Sequence, residues 1–100
     1  MIKDFFLGFI KIHILYHASK EPVFGMELIR ELERHGYHIS PGTLYPILHR
    51  LLNYSYLVLK EKNVGGKIRK YYRITPKGKK ALKECRKKIQ ELVMEVINEK

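Results

Sequence analysis

Thr43, Tyr45, His49 and Arg50 bring hydroxyl, phenol, imidazole and guanidinium groups together within Ser40–Asn53 (SPGTLYPILHRLLN), a stretch without a carboxylate. At about 100° per residue, Leu44, Ile47, Leu48, Leu51 and Leu52 fall within one arc of roughly 140°. Gly42, Thr43, Tyr45, Pro46, His49, Arg50 and Asn53 fill the other side. An exposed helix face usually mixes both signs of charge; one that excludes acid suits phosphate, which takes hydrogen bonds and cations. A second cationic set, Lys67, Arg69 and Lys70, follows downstream. This chemistry binds and does not break bonds. The chain has no phosphate loop, no GxSxG, no paired carboxylates and no Cys–His catalytic context, so it reads as a non-enzyme without a cofactor.

The net charge of +10 over 100 residues is uneven. Residues 61–80 carry eight bases and one acid, whereas residues 21–39 carry two bases and four acids. A basic patch concentrated in this way fits a polyanion, most simply nucleic acid; a lysine-rich solvated surface is the plainer reading. The single cysteine, Cys85, permits no internal disulfide and fits a cytoplasmic location. The apolar start, MIKDFFLGFIKIHILYHASK, is broken by Lys3, Asp4, Lys11, His13 and His17, so no charge-free run approaches the length of about 18 residues that a membrane span needs. It also lacks a small-residue cleavage site.

The elements that must position these side chains follow from local pattern. Residues 4–19 read as a helix that is apolar nearly all round, with Asp4 at its start, and such a helix needs covering on more than one side. Pro22 breaks the chain, Gly25–His35 forms a second helix, and Gly36 caps it. Ser40 and Pro41 open a third helix. Pro46 either distorts its first turn or moves the regular start to Thr43. Tyr56–Lys60 and Ile68–Ile74 have strand composition around Gly65-Gly66, a hairpin signal. Thr75-Pro76 starts a long helix, on which Leu82, Cys85, Ile89, Leu92 and Val96 step as a heptad seam that Val93 and Ile97 widen.

The expected architecture is mainly α with a small β-hairpin: a winged helix-turn-helix over residues 1–75 and a dimerisation helix over 76–100. The helix near 41–53 would enter the major groove of double-stranded DNA and the 56–74 hairpin would be the wing. GTLYPILHRLL at Gly42–Leu52, GGKIRKYYRITPKG at Gly65–Gly78 and PVFGMELIREL at Pro22–Leu32 are similar to blocks of the PadR family of transcriptional regulators. The resemblance spans roughly residues 5–80 and points to the short-tailed branch. It implies a homodimeric repressor on a palindromic operator, released in many members by a small lipophilic or aromatic effector. Thr43, Tyr45 and Pro46 match the recognition-helix motif; Lys70, Tyr72 and Thr75 match the wing and the next helix cap. The chain departs from the pattern at Met26, commonly tyrosine, at Asn53–Tyr56, where a glycine-containing turn is usual, and at the proline-free wing tip.

The expected DNA-binding residues are therefore Ser40, Gly42, Thr43, Tyr45, Pro46, His49, Arg50, Lys67, Arg69, Lys70 and Tyr72. The expected dimer interface is Phe5, Phe6, Phe9, Leu82, Cys85, Ile89, Leu92, Val93 and Val96. Plainer roles stand beside these: Tyr45 covering a helix edge, Arg50 pairing with a carboxylate of the second helix, and one of Tyr71 and Tyr72 buried. Phe5, Phe6 and Phe9 suit interface packing or the wall of an effector pocket. His13 and His17 have metal-ligand spacing, which Cys85 could join, but two histidines alone read better as polar helix positions, and no metal site is assigned. The alternative function is a nucleic-acid-binding module without sequence specificity; a protein-interaction domain is a further rival.

Overall fold

A computed structural model describes all residues from Met1 to Lys100. Helix α1 spans Ile2–Lys20, strand β1 Val23–Phe24, helix α2 Gly25–Arg34 and helix α3 Pro41–Asn53. Strands β2, Leu57–Val64, and β3, Lys67–Ile74, lead into helix α4, Pro76–Leu92, which ends in a π-helical turn over Val93–Ile97. This is a winged helix-turn-helix with an added C-terminal helix, as the sequence implies.

The core lies where the first three helices meet the base of the hairpin. Ile10, Ile14, Leu15 and Ala18 of α1 enter it, with Leu28, Ile29 and Leu32 of α2 and Leu44, Ile47, Leu48 and Leu51 of α3. Each large aliphatic chain buried there contributes about 1.5–3 kcal/mol. The α3 face that the sequence arc marks as apolar is thus the buried one. Helix α2 closes with Gly36 at φ +86, and Tyr37 N–H reaches back to Leu32 O at 2.9 Å, which satisfies an end carbonyl. Helix α3 begins at Pro41, where Ser40 O accepts from both Thr43 and Leu44 N–H at 3.0 Å. Pro46 lies inside it and offers no N–H to the Gly42 carbonyl, but Gly42 is exposed, so water can take that bond.

The hairpin turns on Gly65 and Gly66, both at positive φ (58° and 81°), which glycine adopts without strain. The sheet has a third member that the sequence pattern does not announce: β1 pairs antiparallel with β3, giving the order β1-β3-β2. The wing's base is locked to α4. The Thr75 hydroxyl accepts from Gly78 N–H at 3.0 Å and donates to Ser55 O at 2.5 Å, and Lys77 Nζ donates to Tyr54 O at 2.8 Å. Gly78 is needed because a Cβ there would strike the Tyr56 carbonyl oxygen and lie 2.7 Å from Ile74 Cγ1. Ser55 adopts a left-handed conformation, φ 63, in the turn between α3 and β2.

Two expectations about the long helix change. Leu82, the first step of the heptad, is only 3 % exposed and belongs to the chain's own core, so it offers nothing to a partner. The regular α-helix stops at Leu92, and i→i+5 bonding follows (Asn98 N–H to Val93 O, 2.9 Å), so the α-helical heptad step does not carry on to Val96. The radius of gyration is 14.7 Å, against about 13 Å for a compact domain of this length, because the wing and the end of α4 project.

Candidate nucleic-acid interface

Ser40, Gly42, Thr43, Tyr45, Pro46, His49 and Arg50 are all exposed on α3, and no acid lies in its first turn. The Ser40 side chain makes no cap bond to the helix; its hydroxyl sits 3.3 Å from that of Thr43. Two exposed hydroxyls, hydrogen-bonded to each other, therefore stand at a helix N-terminus, an end whose dipole favours anions. Arg50 takes no part in the chain's ion pairs, which join Glu31 to His17 and Arg34 and Lys88 to Glu91, so the pairing proposed for it with α2 does not occur. Tyr45 does two things at once. Its phenol lies against Gly25 at the start of α2, so closely that a Cβ on Gly25 would be 2.5 Å from the hydroxyl oxygen, yet 44 % of the residue remains exposed.

Cross-strand pairing sorts the wing's side chains. Lys62 faces Arg69, Lys60 faces Tyr71, Val64 faces Lys67 and Val58 faces Arg73, and directly paired residues share a face. One face thus carries Lys60, Lys62, Lys67, Arg69 and Arg73 without an acid. Aromatic rings support it: Arg69 Cζ is 4.8 Å from the Phe24 centroid and Lys62 Nζ 5.2 Å from that of Tyr71. Phe24 and Tyr71 in turn pack edge-on at 5.7 Å. Such contacts hold cations in place over ring faces. Lys70 lies on the opposite face, across from Glu61.

Lys70, Arg69 and Ile68 of the wing meet Met26 and Arg30 of α2 and Tyr45 of α3 around a groove of about 650 Å³, lined also by Phe24 and Gly25. Of the expected residues, the structure brings Tyr45 of α3 to the same groove as Arg69 and Lys70 of the wing, and it withdraws one. Tyr72 is 4 % exposed and packs beside Leu59 in the core, so it touches no ligand. Burial, and then the neighbouring Tyr45, push its phenol above the usual tyrosine range. The inward residue of the pair is Tyr72 because it shares a face with Ile74 and Leu57, both buried. Lys60, Lys62, Arg73, Phe24 and Arg30 were absent from the sequence-based set. Counting the register outward from Gly65-Gly66 would have found the first three.

Phe5, Phe6 and Phe9 remain exposed on α1, as do Ile89, Leu92, Val93 and Val96 at the far end of α4, and Cys85 is half-buried. A groove of about 760 Å³ runs between α1 and α4 past Gly8, Ile12, Leu15, Tyr56, Cys85 and Ile89; the three phenylalanines do not line it. No helix is long and apolar enough to cross a membrane.

A helix-turn-helix followed by a cationic three-stranded wing defines a winged-helix protein of the kind that transcriptional regulators use. Residues 14–84 match the transcriptional regulator PadR-like family. The chain is 46 % identical over 96 residues to transcriptional regulator Rv3488 of Mycobacterium tuberculosis, covering 96 % of this chain and 90 % of that one. The crystal structure of a PadR family transcriptional regulator from Eggerthella lenta superposes with a TM-score of 0.84 at 33 % identity, over 98 % of this chain and 87 % of that one. A PadR-like transcriptional regulator from Bacillus cereus gives 0.83 at 35 %, over 91 % and 90 %. The protein belongs to the PadR-like family: it is a transcriptional regulator and not an enzyme.

Proposed function

We propose that the protein is a repressor that binds a palindromic operator as a homodimer. Helix α3 sits in the major groove and the wing lies on the adjoining backbone. The observation that carries this reading is the pair of acid-free surfaces, the exposed side of α3 and the Lys60–Arg73 face of the wing, on elements that meet at the groove shared by Tyr45, Arg69 and Lys70. On them, Ser40, Thr43, Tyr45, Lys67 and Arg69 bind phosphates and fix the register, while His49 and Arg50 reach base edges; a bidentate arginine on guanine discriminates by about 1–3 kcal/mol.

Dimer formation covers the exposed apolar residues of α1 and the end of α4, Phe5, Phe9, Ile89, Leu92 and Val93 among them. A domain with 18 buried residues gains from such cover. The groove between α1 and α4 has the volume of a small-ligand site and an apolar wall, and it is the place for a lipophilic effector. The reading puts the protein in the cytoplasm, with DNA. Selection of bound sequences from a random duplex pool tests it. Inverted half-sites one or two helical turns apart are expected, with the protein sedimenting as a dimer. Equal affinity for every duplex, or a monomer on the DNA, overturns it in favour of a non-specific binding module.

A further inference from the structure

Helix α1 and the end of α2 bring three imidazoles together. His13 and His17 are one turn apart on α1, and His35, which caps α2, comes to them from the other side. One ligand nitrogen from each lies within 4.8 Å of the others. The His13 and His35 rings stack at 4.7 Å between centroids, and His13 and His17 at 6.4 Å. We propose that His13, His17 and His35 form a binding site for a divalent transition-metal ion of the Zn²⁺ class.

Three neutral imidazoles are the donor set that zinc, copper and nickel favour over magnesium or calcium. Their nitrogens need to close by about 1.5 Å to reach the separation of roughly 3.3 Å set by Zn–N bonds of about 2.0–2.1 Å in a tetrahedron. His35 is exposed at a helix end, so rotation of its side chain can supply that movement. The cluster sits in a recess of about 260 Å³ lined also by Tyr16, Ile12, Leu82 and Arg86, so an ion has access and room for a water. Burial, and then His35 and His17, hold His13 below the usual histidine range, in the neutral form that ligates.

A carboxylate is in place to support the site. Glu31 Oε2 lies 3.9 Å from His17 Nε2, and Arg34 holds its other oxygen at 3.1 Å. It completes the coordination or orients the His17 ring, both common roles for a carboxylate at a histidine–metal site. Arg86 is the cation that faces the recess from α4, and its charge weakens the site without filling it. A bound ion ties the end of α2 to α1, and α2 at its other end is the helix against which Tyr45 rests.

The site goes beyond the DNA reading and is tested without DNA. Untagged protein, stripped with chelator, is titrated with Zn²⁺ by calorimetry and with Co²⁺ by visible absorption. One ion per chain is expected, with the intense visible bands of four-coordinate Co²⁺ and a Tm that rises with Zn²⁺. His35→Gln, at an exposed position, and His13→Gln each weaken Zn²⁺ binding by about a hundredfold, whereas His38→Gln, outside the cluster, leaves it unchanged. Circular dichroism establishes that the variants fold. Sub-stoichiometric binding, or an equal response of His35→Gln and His38→Gln, overturns the site and leaves the rings as a stacked surface cluster.

Discussion

Replacing Gly25 by alanine separates the stability of the scaffold from the placement of the reading helix. Gly25 is the first residue of α2, at negative φ, so alanine fits its backbone and improves helix propensity by up to about 1 kcal/mol. The new Cβ, however, would lie 2.5 Å from the Tyr45 hydroxyl, 2.9 Å from Cζ and 3.3 Å from Cε1. Ordinary contact begins near 3.5 Å, so the phenol must retreat by about 1 Å. The phenol is the far end of a rotatable, partly exposed side chain, so it moves and α2 does not. Stability of Gly25→Ala should therefore stay within about 1 kcal/mol of wild type in urea. DNA binding should weaken by about 1–2 kcal/mol, a five- to thirtyfold loss, if Tyr45 holds a phosphate. Fluorescence anisotropy on the selected operator measures it, with Tyr45→Phe and the Gly25→Ala/Tyr45→Phe pair completing a double-mutant cycle. Strict additivity in that cycle, or unchanged affinity in Gly25→Ala, would refute the claim that Gly25 acts on DNA through the Tyr45 hydroxyl.

If the wing meets phosphates, Lys67→Ala/Arg69→Ala should lower the slope of log affinity against log salt by about 2 per protomer and weaken all sequences alike; a change in sequence preference with an unchanged slope would mean base contact instead. Gly78→Ala should destabilise by about 2–3 kcal/mol in denaturant titration despite alanine's better helix propensity, since its Cβ collides with the Tyr56 carbonyl; a stabilised variant would show that α4 can move off the wing's base. Tyr72 supplies a pH test. Its folded pKa lies above the usual value of 10.0, so the folded state keeps the proton that the unfolded chain has lost. That contribution is fully present below pH 10 and declines as pH rises past it, and Tyr72→Phe should lose less stability than wild type between pH 9 and 11 in urea melts.

The parts of this fold legible in the sequence are those with local causes. The apolar arc of α3, the glycines of the hairpin turn and the Thr75-Pro76 start each act within a few residues, and each appears where its pattern puts it. What was not legible depends on distant partners. Strand β1 is two residues, Val23 and Phe24, and exists only because β3 pairs with it. A 3,4 step cannot say where a seam leaves the core, so Leu82 and Leu92 (3 % and 55 % exposed) looked alike. For Tyr71 and Tyr72 the alternation says that one is buried but not which; the family resemblance drew Tyr72 toward the DNA side, and the packing makes it the buried one. His35 is far in sequence from His13 and meets it only because α2 crosses α1, so two of the three histidines were visible together and the third was not.

The wing and α3 are joined by the same small core, and this bears on how a 100-residue chain could read DNA with precision. Tyr72 is buried between the wing's base and the region of Tyr45, Thr75 ties the wing's foot to the turn after α3, and Gly25 and Gly78 permit the two closest approaches. None of these residues needs to touch a nucleotide. They fix the distance and angle between the two cationic surfaces, while Phe24 and Tyr71 hold Arg69 and Lys62 in place. A side chain already held over a ring loses less freedom on binding, where each immobilised chain costs about 0.5–1.5 kcal/mol. Phe24→Ala should accordingly weaken DNA binding without removing any charge. Loss of the ring frees Arg69 and adds an entropic cost that Arg69→Ala does not incur.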